Sequence, residues 1–343
     1  MTNSISVYFV KTELESLAAE MIAEQEGSDG ANLLMHSGAA RPYFMNPDIF
    51  SCISSFSQEN TKGILKEKRS IYKSLQHLED HIRKINSNPE IIYIHLPRLS
   101  TSKTNYAINF LISSFPCSTV QVRLIPHGVA TTNLININLS KRLKLIRRKF
   151  SPSRIFIPKI KYYPPSHDLV GGLDDIVDRV YTFQGITTPY PQEKVVELTG
   201  LREHLRNTQK TSIGRTAVII GQPLLDNNLI TEQNHTIITQ RIKSWLKDNN
   251  FQTIYYSEHP RSKGQRDFFQ EDYKILNQEG AIEIALCEIQ PDVVISCFST
   301  ALVTAKVLFG DQIQALSFGL ADSLSEQKDS LSALFKRLNI ELL

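Results

Sequence analysis

The chain has 343 residues, 41% of them hydrophobic and 21% charged, with a formal net charge of +3; this composition excludes a mainly disordered chain and allows two domains, each with its own core. There is no apolar run of membrane-spanning length, and the start MTNSISVYFVKTELE lacks a basic n-region followed by an apolar core, so the expectation is a cytoplasmic protein with neither a spanning helix nor a secretory signal. Cys52, Cys117, Cys287 and Cys297 fall outside any CxxC or Cys/His ligand spacing, which argues against a disulfide framework or a zinc site.

In chain order, ISVYFV reads as a strand, and KTELESLAAEMIAEQEG as a helix stopped by Gly27. Further strands are expected at 31–36, 90–96 and 119–128, with helices at 59–86 and 103–114 between them. Residues 164–192 read as loop around the strand RVYTF, residues 193–207 as a helix, and 208–215 as a linker. The alternation then restarts: strand 216–221, helix 231–248, strands TIYYSEHP and YKILN, a short helix, strand DVVISC, helix STALVTAKVLFG and strand QIQALSF. Strands alternating with helices predict mostly parallel sheets. The expected fold class is α/β with two Rossmann-like domains, residues 1–210 and 211–343, facing across a cleft.

Candidate chemistry gathers at strand ends in the second half. The strand TIYYS runs into Glu258, His259, Pro260 and Arg261; His259 and Arg261 can donate to a phosphate, and Pro260 fixes the turn that aims them. A solvated turn is the alternative. The strand Val293–Ile295 runs into Ser296, Cys297, Phe298, Ser299 and Thr300 and then a helix, which places Ser299 and Thr300 at the helix start, where hydroxyls, free backbone N–H groups and the helix dipole favour an anion. A simple N-cap would explain a single hydroxyl, but not a matching His-Pro turn on another strand. Gly221 and Gln222, which end the strand TAVII, complete this donor-side group.

The pair His259-Pro260 and S-x-x-ST at 296–300, with IIGQPL at 219–224, resembles the bacterial sialyltransferases of GT-B fold. The resemblance implies two Rossmann-like domains, contact of the His-Pro element with the CMP part of CMP-sialic acid, and a Ser-Thr element that holds its phosphate or carboxylate. These enzymes also carry an acidic-acidic-Gly motif whose carboxylate is the general base. Here the equivalent place, after VQVRLI, holds Pro126, His127 and Gly128. A neutral imidazole can accept a hydroxyl proton near pH 7, so His127 is the candidate base; a substrate-binding or turn role is the alternative.

On the acceptor side the candidates are His95 and Arg98, after the strand EIIYIHL, together with Ser28 and Asp29 in a polar loop and Gly128; Lys11 and Thr12 end the first strand. Asp174, Asp175 and Asp178 in GGLDDIVDR read as compensation of a helix dipole at a loop-to-helix start rather than as metal ligands. Residues 141–161 hold nine Lys and Arg and no acid, interleaved with Leu, Ile and Phe, as in a segment peripheral to an anionic membrane or bound to a polyanion; a solvated helix face is the alternative.

The expected function is therefore an inverting, metal-independent transfer of sialic acid or a related nonulosonic acid from its CMP-activated form to a sugar hydroxyl of a bacterial capsule or lipooligosaccharide, with no cofactor. Partners would be the CMP-sugar donor, a glycan acceptor and the inner membrane surface through 141–161; no motif points to nucleic acid. Alternatives are a GT-B transferase using CMP-Kdo or a UDP- or GDP-sugar, and a non-catalytic polysaccharide-binding partner.

Overall fold

The computed structural model describes residues 3–27, 30–37, 44–56, 64–127, 132, 134, 136–150, 157–205, 214–259, 266–277, 280–325 and 328–343. The chain forms two units, Met1–Thr199 and Gly200–Leu343.

The first unit is built on seven strands, β1 (Ser4–Val10), β2 (Gly30–His36), β3 (Cys52–Ser55), β4 (Ile91–Leu96), β5 (Thr119–Leu124), β6 (Val177–Phe183) and β7 (Val195–Leu198), in the order β3-β2-β1-β4-β5-β6-β7. The pairings between these strands are parallel. Parallel strands covered on both faces read as apolar runs, and β1 and β2 are buried along nearly their whole length.

Among the described residues, this unit carries four α-helices: α1 (Glu13–Glu26), α2 (Ile64–Ile85), α3 (Ser102–Ser114) and α4 (Leu139–Lys149). On α2 the residues Ile71, Leu75, Leu78 and Ile82 recur at helical spacing and join Val7, Phe9, Ile92, Ile94 and Leu96 in one apolar cluster. Each such side chain contributes about 1.5–3 kcal/mol through burial.

The second unit has six strands, β8 (Thr216–Ile220), β9 (Thr253–Ser257), β10 (Lys274–Ile275), β11 (Val293–Ser296), β12 (Gln314–Ser317) and β13 (Glu341–Leu342), in the order β10-β9-β8-β11-β12-β13. Numbered within the unit this order is 3-2-1-4-5-6, the dinucleotide-binding arrangement, in which the order reverses between the first and fourth strands. Its helices among the described residues are α5 (Leu201–His204), α6 (Glu232–Asp248), α7 (Ile282–Ile289), α8 (Thr300–Phe309) and α9 (Lys328–Arg337). Ile238, Ile242 and Leu246 of α6 pack with Ala217, Ile219, Val293 and Ile295 of the sheet.

Two parallel sheets with interleaved helices agree with the expected α/β class. Several local expectations differ. Residues 193–207 are not one helix: a short 3-10 turn leads into β7, and Gly200, at φ +77°, separates this strand from the four-residue α5. The β-branched pair Val195-Val196 joins the sheet edge beside β6, where pairing outweighs a weak helical pattern. Nor does GGLDDIVDR open a helix; Val177 and Asp178 already belong to β6. Its acids have separate partners: Asp174 accepts from the backbone N–H of Ser166 at 2.9 Å, while Asp178 accepts from Arg123 Nε at 3.1 Å.

Candidate active site

In the second unit the donor-side motifs end three neighbouring strands. Gly221-Gln222 follows β8, Glu258-His259 follows β9 on one side of it, and Ser296 ends β11 on the other. The order reverses between β8 and β11, where α/β sheets of this kind bind ligands at the carboxyl ends of their strands.

Gly221 is required for close approach: a Cβ there would stand 2.3 Å from the Tyr256 hydroxyl. Its N–H donates to Ser257 O at 2.9 Å, and Leu224 N–H donates to Asp267 Oδ2 at 2.7 Å, which pins the turn at both ends. Gln222 crosses to β11: its Oε1 accepts from the backbone N–H of Phe298 at 2.8 Å. Ser296 Oγ lies 2.8 Å from Ile220 O and 3.1 Å from Gln222 Oε1.

The expectation for Ser296 therefore changes. Its side chain is wholly enclosed and its hydroxyl serves Gln222 and β8, because it ends a central strand flanked on both sides by β8 and β12. Ser299 and Thr300 do stand at a helix start: Ser299 caps α8, accepting from Ala301 N–H at 3.2 Å, and Thr300 is its first residue. Between the two motifs, burial pushes the Cys297 thiol up to about 12, so this cysteine is an inert packing residue.

Glu258 and His259 are half-buried at the end of β9, and Glu258 Oε2 accepts from Arg266 Nε at 3.2 Å. Pro260 and Arg261 lie outside the described residues.

In the first unit, His127 follows β5 on a chain still held along β4, since Ile125 N–H donates to Leu96 O at 2.9 Å. Its Nδ1 lies 2.5 Å from Glu15 Oε1. The His127 side chain is 28% exposed, whereas Glu15 is 1% exposed. Glu15 was not among the sequence candidates. Its signal is the spacing Thr12-x-x-Glu15, and the structure shows the capping box that spacing encodes.

The other acceptor-side candidates separate. Arg98 is half-buried after β4 and donates from Nε to Thr101 Oγ1 at 3.3 Å. Lys11 is exposed, and its backbone N–H donates to Glu15 Oε2 at 2.6 Å. Ser28, Asp29 and Gly128 lie outside the described residues.

His95 is not a lining residue. Strand alternation turns it away from the Ile94 and Leu96 cluster, and its ring stacks on Tyr8, centroids 4.1 Å apart, with no exposure. Burial first, then the charges of Arg123 and Arg179, hold its pKa well below the usual histidine value, so the ring is neutral.

Helix α4 carries the described core of the basic stretch. Leu145 is its buried anchor, while Leu139, Leu143, Ile146 and Phe150 are 76%, 54%, 44% and 66% exposed. Spacings of four, three and four align these four residues on one face. No helix among the described residues is long and apolar enough to cross a membrane.

The sequence model of the family described as alpha-2,8-polysialyltransferase (POLYST) matches residues 49–316. Comparison with the curated proteins gives no match. Among solved structures, an alpha/beta-galactoside alpha-2,3-sialyltransferase from Photobacterium phosphoreum is similar with TM-score 0.59 and 12% identity, over 100% of this chain and 99% of that one. A UDP-GlcNAc 2-epimerase from Methanocaldococcus jannaschii gives TM-score 0.51 and 11% identity, over 98% and 92%. These structural likenesses concern the fold, which is GT-B.

Proposed function

This chain belongs to the alpha-2,8-polysialyltransferase family and is a glycosyltransferase; on that premise we propose that it transfers sialic acid or a related nonulosonic acid from a CMP-activated donor, with inversion and without a metal, to a sugar hydroxyl of a bacterial capsule or lipooligosaccharide.

The observation that carries the donor reading is the convergence of Gln222, His259 and the start of α8 at the ends of three adjacent strands, beside the point where strand order reverses. Donation from His259 and Arg261, with the hydroxyls of Ser299 and Thr300 and the N–H groups that open α8, would stabilise the phosphate of departing CMP. His127 in the first unit would take the proton of the acceptor hydroxyl. As the acceptor oxygen bonds to the anomeric carbon, the bond from that carbon to the phosphate oxygen breaks, and its electron pair leaves with CMP.

Helix α4 gives the stretch 141–161 its role in this reading: attachment to an anionic membrane surface, where glycan acceptors are assembled. What supports it is the exposed apolar face of Leu139, Leu143, Ile146 and Phe150, flanked by Lys141, Arg142, Lys144 and Arg147 with no acid in the helix. A soluble polyanion would be served by the charges alone, whereas the apolar face suits lipid.

The deciding measurement is a thermal-shift series with CMP, UMP, GMP and their sugar conjugates, with and without EDTA. Selective stabilisation by CMP that EDTA leaves intact is expected, because a ligand bound only to the native state raises its stability. Preference for UMP or GMP, or turnover strictly dependent on a divalent cation, would overturn the reading.

A further inference from the structure

We propose that Glu15 is the positioning residue for His127: its carboxylate holds the Nδ1 proton and so leaves the Nε2 lone pair free to receive the acceptor's proton. The inference rests on the reading of His127 as the general base.

The two residues are separated by 112 positions, one in the first turn of α1 and the other beyond the end of β5. Glu15 divides its two oxygens. Oε2 accepts the backbone N–H of Lys11 at 2.6 Å and that of Thr12 at 3.3 Å, closing the capping box. A capping box requires only that oxygen. Oε1 is left over, on a side chain that is 1% exposed, and its partner is His127 Nδ1 at 2.5 Å.

A carboxylate accepts and does not donate, so Nδ1 must carry the hydrogen of this bond. In a neutral imidazole the lone pair is then on Nε2. The carboxylate cannot swing away to offer another arrangement, because Thr12 Oγ1 accepts the N–H of Glu15 at 3.3 Å and the reciprocal bonds hold its far oxygen.

The pair also favours the charge that proton transfer creates. When Nε2 takes the hydroxyl proton the ring becomes a cation, and a carboxylate in contact at low dielectric attracts it. Burying that carboxylate is costly on its own, but two backbone donors and the positive end of α1 offset the cost before any substrate arrives.

Glu15→Gln isolates the effect. The amide oxygen can still accept from Lys11 and Thr12, but its NH₂ group would face Nδ1, making Nδ1 the acceptor and moving the ring hydrogen to Nε2. We expect kcat to fall about 10²–10⁴-fold, the usual cost of losing a general base, with unchanged melting temperature and CMP affinity. Imidazole ¹⁵N NMR of the unsubstituted protein should show His127 with hydrogen on Nδ1, a result that needs no variant to fold. The Nε2–H form in that protein, or full kcat in Glu15→Gln, would make Glu15 a helix cap only. His127→Ala separates the premises: if it retains kcat, the base reading itself falls. If it loses kcat while Glu15→Gln does not, only the positioning role falls.

Discussion

The side-chain oxygen of Gln222 accepts the backbone N–H of Phe298 at 2.8 Å, joining the loop after β8 to the loop after β11. One amide thereby sets the spacing between the strand end that carries Gly221 and the turn that leads into Ser299 and Thr300. Gln222→Leu should leave the Phe298 N–H without its acceptor and lower unfolding free energy by about 1–3 kcal/mol, read by urea denaturation. Gln222→Glu still offers an acceptor and should keep most of that stability. It should nonetheless weaken CMP binding, because a second negative charge would stand beside the phosphate. Unchanged CMP affinity in the Glu variant would place the phosphate elsewhere.

His259→Ala tests the end of β9. Loss of a charge-assisted contact to phosphate should cost about 1.5–3 kcal/mol, or roughly ten- to a hundred-fold in donor affinity by isothermal calorimetry. His259 is only half-buried, so the melting temperature without ligand should move little. Unaltered donor affinity and kcat would remove His259 from the site.

The exposed face of α4 predicts a separation between folding and attachment. Changing Lys141, Arg142, Lys144 and Arg147 to Gln should leave the melting temperature nearly constant and abolish flotation with anionic vesicles, as high salt should also do for the unsubstituted chain. Arg148 is left in place because its guanidinium lies over the Tyr162 ring at 5.8 Å. Replacing Leu143 and Ile146 with Ser should weaken vesicle binding without changing its salt dependence. Retention of vesicle binding in both variants would exclude this face.

His95 predicts a pH dependence of stability. Its pKa is lowered in the fold by burial and by Arg123 and Arg179, whereas in the unfolded chain it titrates near 6.5. The unfolded state therefore binds the extra proton first, and the contribution of His95, fully present above about pH 6.5, is lost as pH falls toward the lowered folded value. Between about pH 7 and 5 the unsubstituted protein should lose stability more steeply than His95→Phe, by up to about 1.4 kcal/mol per pH unit. Both ring nitrogens lack a hydrogen-bond partner among the described residues, so Phe removes no bond. Parallel pH profiles would mean that His95 titrates alike in the folded and unfolded chain, against the lowered value.

How much of the site was legible follows from the range of each signal. The strand ends at Gly221, Glu258 and Ser296 were visible because an apolar run stopped by polar residues is a local pattern. The burial of Ser296 was not, since a hydroxyl at a strand end reads the same whether it meets solvent or a neighbouring strand. His95 was misplaced for the same reason: alternation gives two faces, but only the packed helices and Tyr8 decide which face is closed.

By itself the sequence determined the alternation of strands and helices, the positions of the donor-side motifs and the resemblance that pointed to a sialyltransferase. Each of these depends on residues within a turn or a strand of one another, where backbone geometry and side-chain spacing suffice. The tertiary structure alone decided the order β10-β9-β8-β11, which puts the motifs on neighbouring strands, the exposure of the α4 stripe, and the meeting of Glu15 with His127. These depend on which apolar surfaces bury one another and on the direction of each crossover between parallel strands, which bring together residues far apart in the chain, 76 positions for Gln222 and Phe298 and 112 for Glu15 and His127, beyond the reach of local periodicity.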